Sequence, residues 1–151
     1  MSKPKILFMC VANSCRSQMA EAIAKHHAGN RFEIYSAGSA PTRVNPDALK
    51  VLRERGVDTT ALYSKGFDTV PQAVDYAISL CSEQELACPV FPAQVKRLSW
   101  PMPDPAVAKG SEDQVMETFR QVRGAIEQKI VDFISVSCAS EVIGRGSGCR
   151  P

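Results

Sequence analysis

The sequence of 151 residues lacks a long apolar run. Its longest such run, Ile6 to Ala12, has seven residues, far short of the ~18 that a membrane-spanning helix needs. Only two lysines precede the run and no small-residue cleavage site follows it, so the pattern predicts neither a membrane span nor a secretory signal peptide. We therefore expect a cytoplasmic protein with no membrane partner.

The sequence also lacks a strong excess of charge of either sign. Eighteen basic and sixteen acidic residues leave a net charge of +2 and a pI near 8.2. This balance argues against a nucleic-acid partner recognised through bulk charge. Internal repeats and linkers are missing as well, and the length suits one domain, which we place at residues 1–143 before a flexible, glycine-rich tail at 144–151. We expect a monomer.

Apolar periodicity and helix caps predict alternating strands and helices. The expected strands are Lys5–Met9, Phe32–Ser36, Tyr76–Leu80 and a weak fourth at Lys96–Ser99. The expected helices span residues 17–28, 46–55, a short segment at 71–74, and 111–133. The first strand, first helix and second strand form the unit that begins an open parallel sheet, so the fold class is α/β.

A loop of small and polar residues separates the first strand from the first helix. Its backbone N–H groups and the helix N-terminus create a positive field, and Arg16 offers a two-pronged donor for a tetrahedral oxyanion. The same field favours a nucleophilic thiolate at Cys10, to which Ser17 could donate a hydrogen bond. Asn13 tolerates the left-handed backbone that such a cradle needs. The predicted substrate-binding residues are Val11, Ala12, Asn13, Ser14, Cys15, Arg16 and Ser17.

A bound oxyanion needs a proton donor for its leaving oxygen. Asp104 lies in the stiff segment Pro-Met-Pro-Asp-Pro and is the candidate general acid. An isolated Asp-Pro pair is also typical of a simple turn. The oxyanion loop is what favours the catalytic interpretation.

Six cysteines are many for a chain without an export signal, and cysteines in that setting are more often catalytic, redox-active or metal-bound than structural. They are Cys10, Cys15, Cys81, Cys88, Cys138 and Cys149. Cys10, Cys15, Cys81 and Cys88 supply enough sulfur for a structural zinc site, although their spacings are wider than usual. Cys138 and Cys149 lie further toward the C-terminus, and we interpret Cys149, in the glycine-rich tail, as a bystander or an oxidation liability rather than a thiol shuttle.

Several short motifs occur together: Asn-Ser-Cys-Arg-Ser-Gln-Met-Ala-Glu at 13–21, Tyr-Ser-Ala-Gly at 35–38, Asn-Pro-Asp-Ala at 45–48, Leu-Cys at 80–81 and Asp-Pro at 104–105. In this combination the chain resembles the arsenate reductases that are built on the low-molecular-weight tyrosine phosphatase fold and regenerated by thioredoxin. The resemblance implies a four-stranded parallel sheet with helices on both faces. It also implies reduction of arsenate to arsenite for arsenic detoxification, with no tightly bound cofactor or metal and with phosphate or sulfate as competing oxyanions.

The resemblance further implies a relay of three thiols. Cys10 would attack arsenic, with Arg16 and the loop holding the oxyanion and Asp104 protonating the departing oxygen. Cys81 would then attack Cys10 and expel arsenite, and Cys88 would move the disulfide to Cys81–Cys88 for thioredoxin to reduce. Glutaredoxin or a small thiol stays open as the electron donor.

Two positions depart from the family pattern. Ala12 stands where these relatives typically carry glycine, which costs about 1 kcal/mol if that backbone needs a positive φ. Lys65 stands where an aspartate would complete a potassium site with Asn13, Glu21 and Ser36. We hypothesise that the Lys65 ammonium replaces the ion, pairs with Glu21 and steadies Asn13, while Ser17 also supports the loop.

Two other functions use the same residues. A small phosphotyrosine phosphatase needs only Cys10, Arg16 and Asp104, but it has no use for the pair Cys81 and Cys88, and Ala106 stands where such phosphatases usually have tyrosine. A non-enzymatic sensor that binds oxyanions or metal is the third alternative.

Overall fold

The computed structural model describes residues 3–81, 91 and 94–145, with side chains up to residue 136. Its strands are β1 (Lys5–Cys10), β2 (Glu33–Gly38), β3 (Tyr76–Ser79) and β4 (Lys96–Ser99), and its helices are α1 (Arg16–Ala28), α2 (Pro46–Glu54) and α3 (Glu112–Arg145). Two 3-10 turns lie at Phe67–Thr69 and Pro105–Val107. Among the helices of the described residues, none combines the length and apolarity that crossing a membrane requires.

The four strands form one parallel sheet in the order β2-β1-β3-β4, which confirms the predicted fold class. β1 lies inside the sheet because it pairs with β2 on one side and β3 on the other. Its residues from Ile6 to Cys10 are therefore buried, whichever face of the sheet their side chains occupy. All four carboxyl ends therefore meet at one edge of the sheet, where the candidate site residue Cys10 ends β1 and Cys81 lies two residues beyond the end of the adjacent strand β3.

The two faces of the sheet are covered differently. Ile6 and Phe8 of β1 pack in a cluster that contains apolar residues of all three α-helices. Leu7 and Met9 point to the other face, where the described covering consists of loop residues that include Val70 and Val74. Helices on both faces were expected, but on this second face the described chain supplies only the 3-10 turn Phe67–Thr69 and extended backbone.

The short helix predicted at residues 71–74 is wrong. The segment is not helical, and the one turn nearby precedes it at Phe67–Thr69. Val70 is extended at φ −125° and ψ 156°, which lets Val70 and Val74 both reach the sheet. Burial of these two valines outweighs the local helical signal.

The last helix begins as predicted and ends later. The backbone N–H of Gln114 donates to Ser111 Oγ at 3.2 Å, and the backbone N–H of Ser111 donates to Gln114 Oε1 at 2.8 Å, which is the expected capping box. α3 continues beyond Phe133 to Arg145 and so includes the first two residues of the predicted tail. Residues 146–151 lie outside the described part of the chain.

Candidate active site

The loop between β1 and α1 is shaped by two backbone requirements. Asn13 has φ 47°, and it is the one non-glycine residue with a positive φ among those the structure describes. Ala12 does not need that conformation, so its departure from the family's glycine carries no backbone cost. Gly38, at the end of β2, approaches so closely that a Cβ there would lie 2.5 Å from the Val11 carbonyl oxygen and 2.8 Å from the Asn13 nitrogen.

A cavity of about 410 Å³ opens over this loop. It brings together most of the predicted substrate-binding residues, and its lining consists of Cys10, Val11, Ala12, Ser14, Cys15, Arg16, Asp104 and Ala106. Asn13 and Ser17 were predicted to bind substrate but do not line it, because their side chains are fully buried beneath the loop. The side chains of Asn13 and Ser17 are hydrogen-bonded to each other beneath the loop. The sequence analysis also named both residues as supports of the loop.

Arg16 is held in place by the segment that contains Asp104. Its guanidinium is buried and donates a hydrogen bond to the Met102 carbonyl at 3.0 Å. A second nitrogen lies 3.8 Å from Asp104 Oδ2. Asp104 is partly exposed, and its other oxygen accepts a hydrogen bond from the backbone N–H of Ala106 at 3.0 Å, which caps the second 3-10 turn. The candidate acid and the candidate anion binder therefore lie on one cavity wall.

Cys10 lies in the cavity lining with only 3% of its surface exposed. The pKa of its thiol falls from 9.0 to about 6, because a hydrogen bond from Cys81 and then those from the Ser17 side chain and backbone, with the Arg16 charge, outweigh burial. Above that pH the group is a thiolate, the form that attacks electrophiles. Cys15 differs, because burial raises the pKa of its thiol to about 12 and keeps it protonated.

A directed chain of hydrogen bonds leads to the Cys10 sulfur. The backbone N–H of Lys65 can only donate, and it does so to Asn13 Oδ1 at 2.9 Å. The amide nitrogen of Asn13 therefore faces Ser17 and donates to its hydroxyl oxygen at 2.7 Å. Ser17 lies 2.8 Å from Cys10 Sγ, so its own hydrogen is left for the thiolate.

Gln18 is a supporting residue that the sequence analysis missed. It is fully buried, and its amide nitrogen lies within hydrogen-bond distance of three acceptors: the Asn13 carbonyl at 3.0 Å, Asn13 Oδ1 at 2.8 Å and the Tyr63 carbonyl at 2.8 Å. The motif at 13–21 contains Gln18, but nothing local indicates that residue 63 lies beside it. Ser64 was missed for the same reason, and its hydroxyl donates to the Ala12 carbonyl at 3.0 Å.

Lys65 lies beside Glu21 and Ser36, two of the residues with which the sequence analysis grouped it. Its buried ammonium lies 3.4 Å from Glu21 Oε1 and 3.4 Å from Ser36 Oγ, and it donates to the Tyr63 carbonyl at 3.0 Å. Burial lowers the pKa of Lys65, and the neighbouring Glu21 carboxylate offsets part of that shift. Ser36 also donates to Glu21 at 2.5 Å, so the buried carboxylate has several donors.

Cys81 follows β3 and is fully buried next to Cys10. The backbone N–H of Val11 donates to its sulfur at 3.3 Å. Its hydrogen bond to Cys10, and then burial, raise the pKa of the Cys81 thiol well above its usual range. Cys88, Cys149 and the side chain of Cys138 lie outside the described residues. Within the described side chains no group of three or more His, Cys, Asp or Glu is arranged to hold a metal ion.

Comparisons with known proteins agree with this geometry. The family model described as low molecular weight phosphotyrosine protein phosphatase matches residues 5–142. An arsenate reductase of Bacillus licheniformis is 42% identical over 134 residues, which covers 88% of this chain and 96% of that protein. A solved structure described as an arsenate reductase in the phosphate binding state has a TM-score of 0.71 at 31% identity and covers 87% of this chain and 97% of its own.

A thioredoxin-dependent arsenate reductase of Corynebacterium glutamicum has a TM-score of 0.65 at 32% identity, covering 89% of this chain and 63% of that longer chain. The family model spans most of the sequence, and the relatives exceed the identity at which family membership is secure over this length. The chain belongs to the low molecular weight phosphotyrosine protein phosphatase family, among its members named arsenate reductases.

Proposed function

We propose that this protein reduces arsenate to arsenite through Cys10, Cys81 and Cys88, in the service of arsenic detoxification, and that thioredoxin regenerates it. The observation that carries the proposal is the pair of adjacent buried sulfurs, Cys10 and Cys81, beside an arginine-lined cavity. A phosphatase needs only the first of these sulfurs. A reductase needs the second, because two electrons must leave the protein's thiols for arsenic.

Binding of the oxyanion uses charge that is already in place. Arg16 is held by Met102, so its guanidinium loses little freedom when it binds an anion. The N-terminus of α1 adds its partial positive charge to the same cavity. Arsenate, phosphate and sulfate are all tetrahedral oxyanions, so phosphate and sulfate act as competitors.

In the first step the Cys10 thiolate attacks the arsenic of H₂AsO₄⁻ and forms a sulfur–arsenic bond. The leaving hydroxyl takes a proton from Asp104, the general acid, and departs as water. Asp104 suits this role because it lies on the same cavity wall as Arg16, 3.8 Å from its guanidinium. Arsenic stays pentavalent in this step.

In the second step Cys81 attacks the Cys10 sulfur. The electron pair of the sulfur–arsenic bond passes to arsenic, which leaves as trivalent arsenite, and a Cys10–Cys81 disulfide forms. Attack requires the two sulfurs to be neighbours. Cys10 and Cys81 belong to one buried cluster, and the backbone N–H of Val11, the residue after Cys10, donates to the Cys81 sulfur at 3.3 Å.

In the third step the Cys88 thiolate attacks Cys81, which frees the Cys10 thiolate and leaves a Cys81–Cys88 disulfide. The dithiol of thioredoxin then reduces that disulfide and is itself oxidised. This cycle needs a reducing compartment, in accord with the cytoplasmic location that the sequence predicts. The chain is proposed to work as a monomer, because each of the three thiols belongs to one polypeptide.

Turnover of arsenate by variants tests the proposal. Arsenite is measured with thioredoxin, thioredoxin reductase and NADPH for the wild type and for Cys10→Ser, Cys81→Ser and Cys88→Ser. The matched control is Cys149→Ser, which removes a thiol that the relay does not use. We expect the control to match the wild type and each relay variant to lose steady-state turnover.

The same assay separates the alternatives. Full turnover of an aryl phosphate by Cys81→Ser and Cys88→Ser, together with no arsenite from the wild type, would establish the phosphatase instead. One equivalent of zinc per chain would favour the binding protein. Arsenite formed with glutaredoxin but not with thioredoxin would keep the relay and change its electron donor.

A further inference from the structure

Three carbonyl groups of the oxyanion loop accept backbone N–H groups from residues 40–45, a segment without helix or strand that connects β2 to α2. The donor and acceptor pairs are Ala40 to Val11 at 2.8 Å, Thr42 to Ala12 at 3.1 Å and Asn45 to Ser14 at 3.0 Å. We call residues 40–45 the outer segment. The cavity is lined by other residues, so these hydrogen bonds are made on the outer side of the loop.

This arrangement sets the direction of the N–H groups that an anion would meet. In a planar trans peptide the C=O and the next N–H point in opposite directions. Because the Val11 and Ser14 carbonyls are bonded on the outer side, the N–H groups of Ala12 and Cys15 point inward, and both of these residues line the cavity. Hydrogen bonding at the carbonyl also polarises a peptide, which strengthens its N–H as a donor.

Ser64 joins the outer segment to the loop. Its hydroxyl oxygen accepts the backbone N–H of Thr42 at 3.0 Å, and the hydroxyl donates to the Ala12 carbonyl at 3.0 Å. The Ala12 carbonyl therefore has two donors, and it directly precedes Asn13, whose positive φ turns the loop. Ser64 thus holds the peptide at which the loop changes direction.

The outer segment is anchored at its far end by regular structure. Asn45 caps α2, because its side chain accepts the backbone N–H of Asp47 at 2.8 Å while its own N–H binds the Ser14 carbonyl. Residues 40–43 are exposed. Backbone hydrogen bonds to the loop, rather than burial, therefore hold this part of the segment in place.

We propose that the outer segment, together with Ser64, is a positioning element of the oxyanion site: it holds the loop carbonyls outward and so sets the affinity for a tetrahedral anion without touching it. This role belongs to the site at which arsenate would bind and so rests on the proposed function. Coupling between two sites is reciprocal. An anion bound to the N–H groups of Ala12 and Cys15 therefore strengthens the hydrogen bonds on the outer side of the loop.

Phosphate binding, measured by calorimetry, tests the role with a probe that needs no turnover. Ser64→Ala removes the hydroxyl, whereas Ser64→Thr keeps it. The control is Thr69→Val, which removes a hydroxyl that donates to the Gly66 carbonyl at 2.8 Å instead of to the loop. We expect Ser64→Ala to bind phosphate roughly three- to tenfold more weakly than the wild type. Ser64→Thr and the control should match the wild type, and circular dichroism checks each fold.

Amide hydrogen exchange, followed by NMR, tests the coupling in the unaltered protein, so the outcome does not depend on whether a variant folds. Saturating phosphate should slow exchange at the backbone amides of Ala40, Thr42 and Asn45. The reference amide is that of Gly56, which donates to the Arg53 carbonyl at 3.0 Å after the end of α2. Exchange at Gly56 should be unchanged, because this amide has no part in holding the loop.

An unchanged phosphate affinity in Ser64→Ala would overturn the inference. Equal weakening in Ser64→Ala and Ser64→Thr would also overturn it, because packing would then be the cause. The same holds if phosphate leaves exchange in the outer segment unchanged, or slows it equally at Gly56, since the second result would indicate stabilisation of the whole fold. Neither measurement involves a thiol reaction, so arsenite production could fail while this role stands, and the role could fail while the three-thiol relay stands.

Discussion

Ser17 links the chemistry of Cys10 to the first turn of α1. Its hydroxyl lies 2.8 Å from the Cys10 sulfur and is one of the donors that hold the thiolate. Because the lowered pKa keeps Cys10 charged only above pH about 6, kcat/KM for arsenate should rise through that pH and then level off. Ser17→Ala should move this rise upward by roughly one pH unit. Ser99→Ala, on the exposed edge strand β4, is the control, and an unmoved profile in Ser17→Ala would contradict the assignment.

Gln18 acts one step further from the sulfur, through Asn13. Gln18→Met keeps the size of the side chain but leaves the two buried Asn13 oxygens and the Tyr63 carbonyl without this donor, which should lower the free energy of unfolding by about 1–3 kcal/mol. Since Asn13 then loses part of its hold on Ser17, the pH profile of kcat/KM should also move upward. Denaturant unfolding and the pH profile are measured beside Gln128→Met, an exposed change on α3. A loss of stability with an unmoved profile would reduce Gln18 to a packing role.

Lys65 is the cation of a buried group that holds Glu21, Ser36 and the Tyr63 carbonyl. Lys65→Ala should lower the free energy of unfolding by about 1–3 kcal/mol, because the Glu21 carboxylate loses a donor while Ser36 remains. Lys50→Ala, a largely exposed lysine of α2, is the control for removal of a charge. Our hypothesis that the ammonium takes the place of a potassium ion predicts that exchanging sodium for potassium leaves the wild-type rate unchanged. A strong and specific increase with potassium would refute that interpretation.

At the scale of elements, the backbone at the end of β2 lies in close contact with the backbone of the loop after β1. A methyl group at Gly38 would collide with the Val11 carbonyl and the Asn13 nitrogen, both of which are backbone atoms. Gly38→Ala should therefore deform the oxyanion loop and weaken phosphate binding, measured by calorimetry, by an order of magnitude or more. Gly124→Ala is the matched control, because nothing lies within 4 Å of its added Cβ in α3. That change should raise stability by up to about 1 kcal/mol and leave binding alone. Equal phosphate affinity in the two variants would contradict the close contact.

The elements also show what local sequence determines. Strand β1, the loop and the start of α1 could be predicted because an apolar run is followed by small residues and then by a helical apolar face. The Ser111 and Gln114 capping box could be predicted because both partners lie within one turn. Residues 71–74 could not, because their conformation depends on the second face of the sheet, which Val70 and Val74 help to cover.

At the scale of the whole molecule, the site joins segments that are far apart in the chain. The order β2-β1-β3-β4 brings Cys81 close to Cys10. The chain pairs with the end of β2 again through the bridge between Gly38 and Gly66, and this brings Tyr63 next to Gln18. The identities of Cys10, Arg16, Asp104 and Cys81 could be predicted from motifs. The hydrogen bond from the Val11 N–H to the Cys81 sulfur and the buried amide of Gln18 could not, since both depend on tertiary contacts over 45 residues or more.

A single turnover of Cys88→Ser tests the central claim most directly. Without Cys88 the relay should stop after its second step, so excess arsenate and no reductant should yield one arsenite per chain. Mass spectrometry of the alkylated, digested protein should then find Cys10 joined to Cys81. Absence of arsenite, or arsenite formed while the Cys10 and Cys81 thiols both remain open to alkylation, would contradict the account.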